Sequence, residues 1–540
     1  MVKALRIFSA SIVVLLLLSL TAWGKSPVIA QDEEPPKRQT TILVPTTGYE
    51  WWLVRWAGNH IICQLFIDHE GVPTGEDVLA ECGEEIFQEW QDTEPCKQVN
   101  EKGGNLNKCE GVYFLFIGSK SGEKEIVIDL PPPTMLVNLA GCILKAPENI
   151  CRQLPTLVLT AEEPLPNEHI TAIHAIMDGT TIICDLATCD IPLAPTPLQG
   201  VEIEFWADSS FGDSSQHYTA LVRVLDTGVS PTPVGAGWFV DVLSTQWQGP
   251  QPDSCAKVWD AFPPLGLPPS WLSTPASEEL LASGEPYHYL AGRLIAHGLV
   301  DASECPGGGL LSNGYANACG VDKAAPMAEL WQNQFDPRIL RVAQDTNLPA
   351  QLMKRLFAQE SQFWPGVFRV AKEYGLGQLT DQGADTLLLW NHAFFDQFCP
   401  LVLDESACSL GYLRMQADEQ AILRGALAVR VNSDCPECQS GIDLTNADFS
   451  IMIFAQSLLA NCSQVSRTVF NATNKSPGGV SSYEDLWRYT LANYHAGPGC
   501  LAFAVYTTEQ RREPLDWEHV LTHFTAACQG AVDYVELITK

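Results

Sequence analysis

Eighteen cysteines constrain this 540-residue chain more than any other feature. The first is Cys63, so all lie beyond an apolar start. An even count behind such a start reads as up to nine disulfides formed in an oxidising compartment. Cys435-Pro436-Glu437-Cys438 is the only CxxC. A zinc site would need a second pair or neighbouring histidines. Neither is evident, so these cysteines are expected to be bridged. The pairing of the rest is not readable from spacing.

The start itself has three parts. Lys3 and Arg6 are basic, residues 7–20 are apolar, and Ala22-Trp23-Gly24 offers small residues at −3 and −1, with Val28-Ile29-Ala30 as a second candidate. This is the layout of a secretory signal peptide. The apolar core is short for a bilayer span of ~20 residues, which favours cleavage. The alternative is an uncleaved membrane anchor. Residues 1–30 are read as signal and spacer.

Acids outnumber bases 64 to 32, for a formal charge of −32. Nucleic acid is therefore excluded as a partner, because phosphate binding needs clustered Lys and Arg. An anionic membrane surface is excluded for the same reason. Apolar residues make up 46% of the chain, enough to bury several cores rather than remain unfolded.

Texture divides the chain. Residues 38–152 read as a β-rich module, with strands at 51–56, 61–67, 112–117 and 125–130. Residues 153–228 read as a second β module, with strands near 157–159, 170–176, 181–184, 200–206 and 217–225. The stretch Phe205 to Ser215 resembles bacterial immunoglobulin-like modules. Residues 229–335, rich in Pro and Gly, read as a connector with a helix at 277–296 and a disulfide-closed loop between Cys305 and Cys319. From Asp336 the period becomes helical, with Asp336 as N-cap before Pro337. Helices are expected at 381–396, 418–431, 446–459, 483–494 and 533–538. The fold class is thus multidomain: all-β modules, one an immunoglobulin-like sandwich, followed by a mainly α domain over 336–540.

Chemistry concentrates at Pro349–Glu360. Leu352, Met353, Leu356 and Phe357 form a stripe that reaches Glu360 at helical spacing. A carboxyl on a core-facing stripe, near the negative end of a helix, has its ionised form disfavoured. A proton held near neutral pH is what a general acid requires. Periodicity alone also permits Glu360 to rim the helix and face water.

Four segments bear on that choice. Glu360-Ser361-Gln362-Phe363-Trp364-Pro365 is followed, fifteen residues after the glutamate, by Gly375-Leu376-Gly377-Gln378. Asn493-Tyr494-His495-Ala496-Gly497-Pro498-Gly499 and Tyr534-Val535-Glu536 come later. In this order they resemble the soluble lytic transglycosylase family, which has a goose-type lysozyme-like fold. The family pattern is Glu-Ser, then Gly-Leu-Met-Gln, then Ala-Tyr-Asn-Ala-Gly-Pro-Gly. The resemblance covers about 336–540. It implies Glu360 as catalytic acid and base, with Ser361 hydrogen-bonding near the scissile sugar and Gln378 lining the cleft. Tyr494 would form cleft wall, and Tyr534 would approach Glu360. His495 and Trp364 follow as substrate-binding candidates. Peptidoglycan glycan strands are the implied partner, without metal or cofactor, at the cell envelope. The β modules would bind envelope partners or act as a spacer.

Two departures stand out. Gly377 replaces the pattern's methionine, which would widen the cleft floor, and His495 replaces its asparagine. The loop at 369–374 is more charged than the family's. Glu373, Asp381 and Asp385 are candidate second carboxylates for a hydrolytic muramidase, since hydrolysis normally uses two flanking carboxyls. A catalytically idle wall-binding protein is the third reading. The span from Gln378 to Asn493 reads as a disulfide-stapled insertion. Trp364, Trp390, Trp487 and Tyr489 are candidates for core or for sugar stacking, as are Trp51, Trp52 and Trp56.

Overall fold

The computed structural model describes residues 38–540 apart from 93–95, 97–101, 106–107, 146–148, 229–236, 251–252, 266–267 and 368–371. The expected signal peptide and spacer, residues 1–30, lie outside the described residues, as do residues 369–371 of the charged loop. A β-sheet region spans 39–243 and a mainly helical region spans 254–539. No helix among the described residues is long and apolar enough to cross a membrane. All eighteen cysteines are paired, in nine disulfides. Cys435–Cys438 and Cys305–Cys319 are among them.

β1 (Gln39–Arg55) pairs with β2 (His60–Ile67) and, along its whole length, with β3 (Val112–Asp129). The sequence predicts two strands where β3 is one. Residues 118–124 read as a turn, yet they lie opposite Val44–Glu50, so the backbone ladder continues through them. Leu53, Leu65, Ile67 and Val78 make a small core under α1 (Gly75–Cys82) and α2 (Glu84–Asp92). Trp51 packs on Phe116 and Trp56 on Tyr113. Arg38 ties the base of this ribbon to Glu163 at 2.5 Å and Asp213 at 2.6 Å.

The next unit has two sheets over one core. One is β4 (Thr134–Ala140), β6 (Thr156–Glu162) and β9 (Thr188–Pro192). The other runs β5 (Ile150–Cys151), β12 (Trp238–Leu243), β11 (Tyr218–Asp226), β10 (Val201–Ser209), β7 (Ile170–Met177), β8 (Thr180–Cys184). Period-two alternation sends Ile203, Phe205 and Ala207 inward, into the core that holds Leu157 and Leu159. This unit crosses both boundaries read from the sequence. β4 lies before residue 153 but pairs with β6, and β12 lies after 228 but pairs with β11. The break falls at Pro131-Pro132-Pro133 instead, where three residues in a row lack an amide hydrogen.

Within the span 229–335 read as a connector, residues 254–335 pack into the helical region. α3 (Ser254–Trp259), α4 (His288–Ala296) and α5 (Ala318–Asn333) contribute Cys255, Trp259, Leu290, Leu294 and Trp331 to the main helical core. Trp259 is fully buried and donates Nε1–H to the Cys462 carbonyl at 3.0 Å. Cys255 is bridged to Cys462. The helix expected at 277–296 is confined to α4, with a single 3-10 turn at Glu278–Leu280.

The remaining longer helices are α6 (Asp336–Thr346), α7 (Ala350–Ser361), α8 (Asp381–Trp390), α9 (His392–Phe398), α10 (Ala417–Val431), α11 (Leu444–Thr473), α12 (Tyr483–Ala496), α13 (Pro498–Gln510) and α14 (Gly530–Thr539). The helix expected at 381–396 breaks at Asn391, whose side chain accepts from the Phe394 amide and so starts a new helix. Asp336 is not the N-cap of α6. It lies inside the first turn, buried, with Oδ2 2.7 Å from Lys354 Nζ on α7. An ionised cap would have been left facing the core, and the lysine supplies its partner there.

Candidate active site

Glu360 closes the last turn of α7. Leu352, Met353, Leu356 and Phe357 bury the helix face below it. Two non-glycine residues in left-handed backbone follow, Gln362 at φ 47° and Phe363 at φ 65°. Gln362 caps the start of α4, its Oε1 accepting from the Tyr289 amide at 2.8 Å. This reversal leaves Glu360 at a cleft and carries Trp364 away from it.

The cleft, about 440 Å³, is lined by Glu360, Glu373, Gln378, Tyr494 and His495, and by polar residues of α8, α11 and α12. Tyr534 Oη, on α14, donates to Glu360 Oε1 at 2.5 Å. Burial pushes the Glu360 carboxyl up to about 7; the Tyr534 hydrogen bond opposes this, and the negative charge of Glu373 adds to it. No cation pairs with Glu360 among the described residues. The carboxyl is thus poised to hold a proton near neutral pH and to release it on demand.

The other expected residues divide. Gln378 lines the cleft with its backbone at φ 51°, its Nε2 donating to the Gly375 carbonyl at 2.5 Å. Its Oε1 is buried with no partner among the described residues. Tyr494 Oη donates to the Gly377 carbonyl at 2.6 Å. His495 stacks on Tyr534, with centroids 4.3 Å apart and planes 15° apart. Burial lowers the His495 pKa, favouring the neutral ring.

Ser361 is elsewhere. Its side chain is buried and its Oγ contacts the Leu376 carbonyl at 2.7 Å and the Phe357 carbonyl at 3.1 Å. It fastens the Gly375–Gln378 turn to α7 and does not line the cleft. Trp364, 1% exposed, stacks on Trp331 at 5.3 Å beneath Arg293 and is core, not a sugar platform. Trp487 and Tyr489 are fully buried as well.

Gly377 does not widen the floor. A Cβ there would meet Phe454 Cδ1 at 2.4 Å and Tyr494 Oη at 2.8 Å, so these side chains already fill the space. Of the second-carboxylate candidates, Glu373 lines the cleft. Asp385 is bound by Arg424 at 2.9 Å and by the Tyr412 hydroxyl, and Asp381 is exposed at the start of α8; neither lines the cleft.

Sequence reasoning missed Ser457, Asn461 and Asn493, which line the cleft. A signal existed. Ser450, Ser457, Asn461 and Gln464 recur at helical spacing on the buried stripe of α11, where apolar residues are the rule.

No protein-family model matches the chain, and no curated protein matches it. Among solved structures, a polysaccharide lyase is similar at 11% identity with a TM-score of 0.15, over 80% of this chain. The chain spans about half, 53%, of the length of that protein. A likeness of that size carries neither fold nor function across.

Proposed function

We propose that this chain is a secreted peptidoglycan lytic transglycosylase of the soluble, goose-type lysozyme-like kind, with Glu360 as general acid and base. The observation that carries the reading is the Glu360 carboxyl placed at a cleft, hydrogen-bonded by Tyr534 and sharing that cleft with Gln378 and Tyr494; burial there favours its protonated form. The four ordered motifs supply the residues of this constellation.

In the proposed reaction Glu360 donates its proton to the glycosidic oxygen between MurNAc and GlcNAc as that bond breaks. Positive charge develops at the MurNAc anomeric carbon. The resulting carboxylate removes the proton from the same sugar's 6-hydroxyl, whose oxygen closes a 1,6-anhydro ring. Glu360 regains its proton, so one carboxyl completes the cycle. Tyr534 moderates the acid through its hydrogen bond.

The catalytic unit would comprise 336–540 together with the helices from 254. The β units would bind envelope partners or hold the enzyme off its site of attachment, with the two-sheet unit acting as the immunoglobulin-like module. Nine disulfides agree with an oxidising, extracytoplasmic setting.

A second reading is hydrolysis, with Glu373 as the second carboxylate, because Glu373 shares the cleft and bears on the Glu360 proton. Mass spectrometry of digested peptidoglycan separates the two. Anhydro-muropeptides support the transglycosylase, and reducing ends alone support hydrolysis. Retained wall binding with no soluble product favours an idle binding protein. Glu360→Gln abolishes product while leaving folding intact; equal product from that variant rejects the site.

A further inference from the structure

Part of the cleft lining is built from amide side chains. Asn493 on α12 is 2% exposed and sends its Nδ2 hydrogens to Asn461 Oδ1 and Gln464 Oε1, both at 2.7 Å. Asn461 in turn donates to the Ser457 backbone carbonyl at 2.8 Å. Among the described residues Asn493 Oδ1 is an acceptor with no partner and Ser457 Oγ is a hydroxyl with no partner; both are buried and both residues line the cleft. Orphaned polar atoms of this kind are costly unless something binds them. The family pattern carries alanine where Asn493 stands, so the amide is a property of this chain.

We infer that Asn493 and Ser457 form a subsite for the 2-acetamido group of an amino sugar, one N–H to Asn493 Oδ1 and one C=O from Ser457 Oγ–H. A trans secondary amide offers one donor and one acceptor, on opposite sides of its carbonyl carbon, and so matches one acceptor and one donor supplied by two different side chains. The inference rests on the glycan reading above and sharpens it. The chain would discriminate N-acylated from plain glucose polymers within the cleft that holds Glu360.

The test measures binding, so that catalysis does not enter. Full-length Glu360→Gln protein is titrated calorimetrically with chitohexaose and with cellohexaose, which differ in bearing an acetamido group or a hydroxyl at carbon 2. Chitohexaose is expected to bind at least about ten-fold tighter, as a site built to hydrogen-bond a group rejects the analogue lacking it. Asn493→Ala in the same background is expected to reduce that preference below about three-fold while leaving cellohexaose affinity unchanged. Ser457→Ala, which removes only a hydroxyl, gives the same direction and keeps the test open if the asparagine variant does not fold. Equal binding of the two sugars overturns the subsite and leaves the enzyme reading intact, as does a preference that survives both substitutions. If neither hexaose nor uncrosslinked peptidoglycan strands bind, the glycan reading itself falls.

Discussion

Tyr534 and Glu360 stand 174 positions apart and meet in one hydrogen bond of 2.5 Å. The last helix thus tempers the effect of burial on the protonation of a residue on α7. Removing the phenol hydroxyl in Tyr534→Phe withdraws a bond that favours the ionised carboxylate. The Glu360 pKa then rises above about 7, and the basic limb of the kcat/KM profile moves to higher pH by on the order of one unit. A pH series of muropeptide release checks this, and an unmoved limb rejects the coupling.

Glu373→Gln acts in the other direction. The charge of Glu373 holds the Glu360 proton more tightly. Its loss lowers the Glu360 pKa, so the basic limb moves to lower pH by a fraction of a unit while anhydro products persist. A fall in turnover of about 100-fold or more with this variant would instead mark Glu373 as a required base.

The raised carboxyl also bears on stability. Between the ordinary value of 4.5 and about 7, the folded chain holds a proton that the unfolded chain has released. Stability therefore falls as pH rises through that window. Glu360→Gln, which cannot ionise, is expected to be more stable than the parent at about pH 8 by on the order of 1–3 kcal/mol, with the difference vanishing near pH 4. Urea melts at the two pH values read it out.

How much of this was legible beforehand depended on distance along the chain. The motif helices and their spacing were visible because α7 and α12 carry local periodicity, and Glu360 lies on the stripe. The destinations of Ser361 and Trp364 were not. Both are decided by the left-handed pair Gln362–Phe363 and by partners on other segments, Leu376 and Trp331. The limits of the two-sheet unit were hidden for the same reason, since β4 and β12 find their neighbours only through pairing remote in sequence.

Gly377 and Phe454 are complementary in size. Gly377→Met forces a side chain into Phe454 and the Tyr494 hydroxyl and is expected to cost about 1–3 kcal/mol. Phe454→Ala alone leaves a cavity and costs about 3–5 kcal/mol. The double variant is expected to recover at least about 1 kcal/mol relative to the sum of the two. Additive losses in thermal melts would show that the two sites do not share space.

Ser361→Ala removes a hydroxyl that binds the Leu376 carbonyl, at a cost of about 1 kcal/mol. Because the serine fastens the turn bearing Gln378 and does not line the cleft, the loss is expected in kcat rather than in glycan affinity. Weakened binding of strands to the inactive Glu360→Gln background carrying this second change would reject that role.

The Cys255–Cys462 bridge encloses 207 positions of chain, and a covalent loop of that length removes about 5 kcal/mol of unfolded-state entropy. It clips the segment in front of the motif-bearing helices onto α11. Trimming the protein to its recognisable portion at residue 336 would strip away Trp259, Leu290 and Trp331 and strand a lone thiol at 462. The helical core accordingly reaches back to about residue 255, well upstream of where the motifs start.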